Sequence, residues 1–260
     1  MRKSLSLLAV GLLTAVLIPG TAGALSHPVR DTPELTGNSL YKSGKLKSSD
    51  CSGGALSIES SADAKRTLHS LWRCMDTSWS RHFSRAGLRF EPARLVVLTK
   101  PARFCDADWE KDAISSYCAG TKTAAVLVDK KYYLRTREIY HLQFVAGLHA
   151  RHLQELTGIS AAFDALPSGS GSELSEQYRR YHLQEDCLAG VFLGSVWKTV
   201  GRDGEGWPAL LDLMKANGDE VRKGRYNGKG KNIAYWLDRG FKKGDPGSCN
   251  TWTASSARVA

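Results

Sequence analysis

The sequence has only one long apolar run, and no later apolar stretch is long enough to cross a membrane. That run, residues 5–18, follows Arg2 and Lys3 at the start of the chain. It is about 14 residues long, whereas a membrane-spanning helix needs roughly 20, so the pattern is typical of a secretory signal peptide over residues 1–24. We expect cleavage after Ala24 and a secreted, extracellular mature protein without a transmembrane segment.

Several motifs that would point to common enzyme classes are also missing. The cysteines form no C-x-x-C pair, which argues against a zinc site built from cysteine. The sequence contains no G-x-S-x-G elbow and no glycine-rich P-loop to hold a nucleotide phosphate. A serine hydrolase of the α/β type and a P-loop nucleotide hydrolase are therefore unsupported.

All six cysteines lie after the predicted signal peptide, in the part expected to reach an oxidising compartment. An even number of cysteines in an exported chain predicts disulfides, which leaves no free thiolate nucleophile. Many connectivities are possible for six cysteines. The spacing favours three pairs: Cys51 with Cys74, Cys105 with Cys118, and Cys187 with Cys249.

The formal net charge is +10, and much of the positive charge falls in residues 222–231, a stretch that is also rich in glycine. We expect this stretch to be an exposed, mobile loop that serves solubility. Loose cationic loops also bind polyanions without specificity. An extracellular polyanion-binding protein, with an anionic cell-wall polymer or nucleic acid as partner, is therefore one alternative function.

Hydrophobic periodicity divides the mature chain into a polar start and one packed domain. Residues 25–50 show no period and are expected to be poorly ordered, while the domain spans residues 51–260. We expect an α+β fold that is mostly helical with a small β-sheet and three disulfides. Helices are predicted over residues 61–84, 136–156, 173–200, 207–215 and 233–240, and strands over residues 94–98 and 124–128, with 132–134 extending the second.

Three stretches together resemble the bacterial neutral zinc metallopeptidase family. They are S-Y-C at residues 116–118, Q-E-D-C-L-A-G at residues 184–190, and G-F-K-K-G-D-P-G-S-C-N-T-W at residues 240–252. Their order and spacing, over roughly residues 51–252, identify the chain as a divergent member. The resemblance implies a zincin-like metallopeptidase domain, with peptides as the substrate class.

Zinc chemistry in such a family depends on two helices. One carries H-E-x-x-H, whose histidines bind the metal from one helix face while the glutamate acts on the metal-bound water. A later helix carries E-L-Q-A-D-C, whose glutamate is the third ligand. The aspartate of that motif, matched here by Asp186, supports a metal-bound histidine.

The chain departs from this pattern at each position that needs a ligand or a base. Gly147 and Arg151 stand at the two histidine positions, Leu148 stands at the general-base position, and His182 replaces the ligand glutamate. Glycine offers no side chain, leucine cannot move protons, and arginine stays cationic and repels a metal. The expected function is a pseudoenzyme with no zinc cofactor and no catalytic residues, which binds a peptide or an anionic cell-wall polymer.

A zinc peptidase with a rearranged site is the second alternative. Its ligands would be His182 with one or more of His149, His152 and Glu155. However, His149 lies two residues after position 147, about 200° around the helix, so it should point away from the cleft. His152 is expected to pack between helices, and His141 to lie on the surface.

Arg151 suggests a further hypothesis about the cleft. Its guanidinium would lie near the former metal position and pair with Asp186, directly or through His182, so that one cation replaces another. A buried aspartate without a partner costs several kcal/mol, so Asp186 is expected to have one.

Overall fold

The structure is a computed structural model that describes residues 27–51, 59–129, 138–202 and 206–260. The predicted signal peptide over residues 1–24 and the predicted strand extension over residues 132–134 lie outside these ranges. Among the helices that the structure describes, none has the length and apolar character needed to cross a membrane.

The fold is mixed α and β, mostly helical, with one small sheet. Its longest helices agree with the periodicity in the sequence to within a few residues. The α-helices of the described ranges are α1 (Pro33–Thr36), α2 (Ser61–Arg85), α3 (Glu138–Leu156), α4 (Ile159–Asp164), α5 (Gly171–Val196), α6 (Gly206–Lys215), α7 (Asp219–Arg222), α8 (Gly230–Lys243) and α9 (Ser256–Val259).

Helix α2 forms because its apolar residues recur every three or four positions. Leu68, Trp72, Met75 and Trp79 are buried on this face. The side chain of Ser60 accepts a hydrogen bond from the main-chain N–H of Asp63 and so begins the helix. The helix predicted over residues 61–84 is confirmed.

Helix α5 is the central element of the fold. It begins at the cap residue Ser170 and packs against both α3 and α8. Glycines allow the backbones of α5 and α8 to approach each other closely: an added Cβ at Gly190 would lie 2.1 Å from the carbonyl oxygen of Leu237, and one at Gly240 would lie 1.9 Å from that of Cys187.

The sheet has three strands, β1 (Arg94–Leu98), β2 (Ser115–Cys118) and β3 (Thr123–Leu127), in the order β1-β3-β2. Strand β3 lies in the middle and is buried along its length; it is parallel to β1 and antiparallel to β2. The two predicted strands are β1 and β3. Strand β2 was not predicted, because it is a short edge strand that begins with two serines and so has no apolar β-branched run.

The expectation that the start of the mature chain is poorly ordered is wrong for residues 27–50. Leu35 and Leu40 are fully buried in the core. Asn38 donates a hydrogen bond to the carbonyl oxygen of Thr157, and Ser43 hydrogen-bonds the buried His82 of α2 at 2.8 Å. A few isolated leucines anchor this polar segment, and isolated leucines produce no periodic signal.

The expectation of a mobile basic loop over residues 222–231 also needs correction. Part of this stretch belongs to α7 and α8. The carboxylate of Asp219 accepts hydrogen bonds from the main-chain N–H groups of Asn227 and Gly228, and Glu220 accepts one from that of Gly230. Acidic side chains of α7 therefore hold the end of the loop that leads into α8.

The three predicted disulfides are present. Cys51–Cys74 joins the N-terminal segment to α2, Cys105–Cys118 joins a loop to β2, and Cys187–Cys249 joins α5 to the short 3₁₀ turn Pro246–Cys249. The Cys187–Cys249 bond joins two elements that also pack against each other, so it reinforces a contact of the core.

The contact between α5 and α8 can be tested at its glycines. The variant Gly240→Ala should lose about 1–3 kcal/mol of unfolding free energy, since its methyl group would overlap the main chain of α5. Gly171→Ala is the control, because no atom lies within 4 Å of the added Cβ at the exposed start of α5. It should change stability by less than about 1 kcal/mol. Urea unfolding with the disulfides intact measures both, and equal losses would contradict the close approach.

Candidate functional site

A cleft of about 410 Å³ lies between α3 and α5, with α6, α7 and the loop after α7 forming its other side. The two long helices bring together every position at which the sequence departs from the zinc motif. These positions, with the predicted Asp186, all line the cleft: Gly147, Leu148, Arg151, His182 and Asp186. These five residues therefore lie in one place in the fold.

Glycine at position 147 leaves space on the cleft side of α3. A Cβ added there would meet only the amide nitrogen of Gln143, at an ordinary 3.8 Å. The packing therefore does not require glycine at this position. Leu148 follows it and is buried, which gives this part of the cleft wall an apolar side chain in place of a proton acceptor.

Arg151 forms an ion pair with Glu185 across the two helices. Its Nε donates to Oε1 of Glu185 at 2.7 Å and its Nη2 donates to Oε2 at 3.0 Å, a two-point contact of the kind that makes arginine–carboxylate pairs strong. The side chain of Glu185 is only 11% exposed, whereas that of Arg151 is 34% exposed. The hypothesis that Arg151 pairs with Asp186 is therefore wrong: the partner is the adjacent acid.

The ion pair determines the charge of both partners. Burial alone would raise the pKa of Glu185, but the Arg151 guanidinium and His182 lower that pKa to about 2. Glu185 in turn raises the pKa of Arg151, so the guanidinium stays charged. At neutral pH the site holds one fixed cation and one fixed anion.

Asp186 has a different partner. Its Oδ1 accepts a hydrogen bond from Nε2 of Gln143, on α3, at 2.8 Å. Burial and the neighbouring charge of Glu185 raise the pKa of Asp186 well above its usual value. The two consecutive carboxyl groups thus have opposite shifts, which favours one negative charge in the cleft over two.

His182 lines the cleft beside the ion pair, with its Nδ1 3.5 Å from Oε2 of Glu185. Its ring stacks against Tyr178, one turn earlier on α5, at 6.2 Å between centroids. Tyr178 in turn contacts Tyr226 of the loop after α7, at 5.0 Å. A row of three rings therefore leads from the cleft wall to the surface.

His149 and His152 point away from the cleft, as predicted. His149 is fully buried against α2, and its Nε2 lies 3.0 Å from the carboxylate of Asp76. His152 is bonded through Nδ1 to the Tyr117 hydroxyl and through Nε2 to the carbonyl oxygen of Glu91, both at 2.7 Å. Burial lowers the pKa of His152 to about 4, so its ring is neutral at neutral pH.

Two further observations concern the histidines. His141, expected on the surface, is buried on α3. In the ranges that the structure describes, no group of three or more His, Cys, Asp or Glu residues is placed to hold a metal ion. The proposed set of His149, His152 and His182 is divided between opposite sides of α3.

The chain is similar to YpfJ of Escherichia coli. It is 25% identical over 262 residues to this uncharacterized protein of strain K12, and the aligned part covers 94% of the chain and 86% of YpfJ. YpfJ of Escherichia coli O6:H1 matches to the same extent. No family model and no solved structure matches the chain.

Two functional residues, Glu185 and Gln143, were missed by the sequence reasoning. The family motif E-L-Q-A-D-C has alanine where this chain has Glu185. An acid at that position, together with an arginine at position 151, was a signal of an ion pair between the two helices. Gln143 offered no such signal, because its role depends on α3 and α5 lying side by side.

Substitution of Glu185 tests the ion pair through its pH dependence. At pH 7 the variant Glu185→Gln should lose about 2–3 kcal/mol of unfolding free energy, because the depressed pKa of the carboxylate stabilises the folded state. This contribution is present above the unfolded pKa near 4.5 and is lost as the pH falls toward 2. The stability difference between wild type and variant should therefore shrink over that interval in urea titrations.

Asp212→Asn is the matched control for this experiment. Asp212 pairs with Lys215 in an exposed ion pair on α6, so the amide should cost less than about 0.5 kcal/mol at any pH. A Glu185→Gln loss that is as small as this, or that is independent of pH, would contradict the role given to the pair.

Proposed function

We propose that this chain is a secreted, non-catalytic relative of the neutral zinc metallopeptidases, in which an internal ion pair has taken the place of the metal centre. The observation that carries the proposal is the two-point contact between Arg151 and Glu185 in the cleft. The three disulfides support an oxidising, extracellular destination.

The residues of the cleft do not suit zinc. A guanidinium has five N–H donors and no lone pair for a metal, and its charge opposes a second cation nearby. The carboxylate that could have served as a ligand, Glu185, has both oxygens engaged by Arg151. Leu148 offers no base to accept a proton from water.

The rearranged zinc site is the weaker alternative. It would need ligands from both sides of α3, because His182 lines the cleft whereas His149 and His152 contact the opposite side. Each of these two histidines already has a hydrogen-bond partner that fixes its ring. Recruiting them would require α3 to rotate out of a packed core.

Metal content and hydrolysis test the proposal directly. The purified protein should contain far less than one zinc per chain and should not cleave a peptide library in a chelator-sensitive manner, as measured by elemental analysis and mass spectrometry. Stoichiometric zinc together with hydrolysis that a chelator abolishes would refute the non-catalytic function.

A restored variant tests whether the cleft descends from a metal site. It carries G147H, L148E, R151H and H182E, with E185A to remove the acid that would lose its arginine. Because position 147 has space for a side chain, we expect the variant to bind about one zinc with tetrahedral N/O coordination by X-ray absorption. The variant G147H alone, as control, should bind none. Failure of a folded restored variant to bind zinc would count against the family relationship.

A further inference from the structure

Arg222 places an uncompensated positive charge at the cleft. It lies at the end of α7, opposite α3 and α5, and its guanidinium donates to the side-chain oxygen of Asn217. In the part of the chain that the structure describes, it forms no salt bridge. Arg151 and Glu185 neutralise each other, and burial and the charge of Glu185 raise the pKa of Asp186, which disfavours a second negative charge in the cleft. Arg222 therefore makes the cleft attractive to one anionic group.

Arg151 adds hydrogen-bond donors to the same space. Its Nε and Nη2 are occupied by Glu185, while Nη1 has no hydrogen-bond partner among the described residues. About a third of the side chain is exposed, and it lines the cleft. The outer edge of the guanidinium can therefore donate to a ligand without breaking the ion pair.

The remaining lining is suited to hydroxyl-rich molecules. Gln143, Asn217 and Asn227 contribute amide groups that can donate and accept, and Asp186 contributes a carboxyl group. Tyr140 and Phe144 stack at 6.3 Å along the α3 side, and the row of His182, Tyr178 and Tyr226 continues the aromatic surface outward. The aromatic rings can stack on the flat faces of a sugar ring, and the planar polar side chains can hydrogen-bond the hydroxyl groups at its edges.

The wall that carries Arg222 is held in place before any ligand arrives. Asp219 accepts hydrogen bonds from the main chain at Asn227 and Gly228, and its own N–H donates to the carbonyl oxygen of Gly228. Arg179 of α5 fastens the same loop through the carbonyl oxygen of Arg225. A loop closed in this way loses little entropy on binding.

We infer that the cleft binds an acidic saccharide, a sugar whose carboxylate pairs with Arg222 and with the free edge of Arg151 while the amides and rings hold its hydroxyls and faces. The inference rests on the proposed non-catalytic use of the cleft, and it names the ligand class. The cavity volume of about 410 Å³ is typical of small-ligand sites.

Isothermal titration calorimetry on the full mature protein tests the inference with two acidic probes, tetragalacturonate and a disaccharide that contains N-acetylmuramic acid. At least one of the two saccharides should bind, and the one that binds shows whether the cleft takes the carboxylate of galacturonate or that of N-acetylmuramic acid. The same saccharide with its carboxylates methyl-esterified should bind about tenfold or more weakly, since an ester cannot form the charged contact.

Two variants of the same loop locate the contact. Arg222→Gln should weaken binding of the acidic saccharide about tenfold or more and should remove the preference for acid over ester. Arg225→Gln makes the same change of charge on an exposed side chain outside the cleft, and should alter the affinity less than about twofold.

Binding of neither probe, or equal binding of acid and ester, would overturn the inference. Equal losses of affinity in Arg222→Gln and Arg225→Gln would also overturn it, because they would indicate diffuse attraction between a polyanion and a basic surface. A tetrapeptide with a free carboxylate that binds as tightly, and with the same sensitivity to Arg222→Gln, would also overturn it.

Zinc content of the same preparation reports separately on the proposed function. Saccharide binding by a protein that also carries stoichiometric zinc and shows chelator-sensitive hydrolysis would refute that function and leave the ligand class standing.

Discussion

The fold depends on how closely α8 lies against α5. Two of the contacts are between glycines and main-chain carbonyl oxygens, at Gly190 and Gly240, so there is no side chain whose rotation could relieve an added methyl group. This contact limits how α5 can shift or rotate against α8. It thereby sets where His182 and Glu185 point, and the Cys187–Cys249 disulfide holds the same region from the 3₁₀ turn Pro246–Cys249.

A second constraint acts inside the cleft, where two consecutive carboxyl groups are differentiated by their partners. Glu185 faces a guanidinium and keeps its charge, whereas Asp186 faces an amide and takes up a proton more readily. Since the two are neighbours, the charge that Arg151 keeps on Glu185 adds to the effect of burial in raising the pKa of Asp186. The cleft is thus electrostatically organised around a single ion pair.

Much of this architecture could be predicted from the sequence. The helices α2, α3 and α5 have strong periodicity, the strands β1 and β3 are β-branched or small and apolar, and the cysteine spacing indicated the three disulfides. Strand β2 and the order of segment 27–50 could not be predicted, because a short polar edge strand and isolated leucines produce no hydrophobic period. Both are ordered by contacts that exist only in the folded chain. The location of the cleft followed from the resemblance.

The partner of Arg151 could not be predicted with the same rules. Asp186 and Glu185 are adjacent in sequence, and α-helical geometry turns them about 100° apart, so the choice depends on how α5 is rotated against α3. Only packing fixes that rotation. The polar contacts of the segment 219–228 could not be predicted for a similar reason, since Asp219 binds main-chain N–H groups that almost any residue would offer.

Helix α3 has two sides with different neighbours. One side holds His149 and His152 in buried hydrogen bonds with Asp76, Tyr117 and the main chain, which ties the helix to α2 and the sheet. The other side, at positions 147, 148 and 151, lines the cleft. Mutations on that second side can therefore change the lining of the cleft while the buried contacts of α3 with α2 and the sheet stay in place.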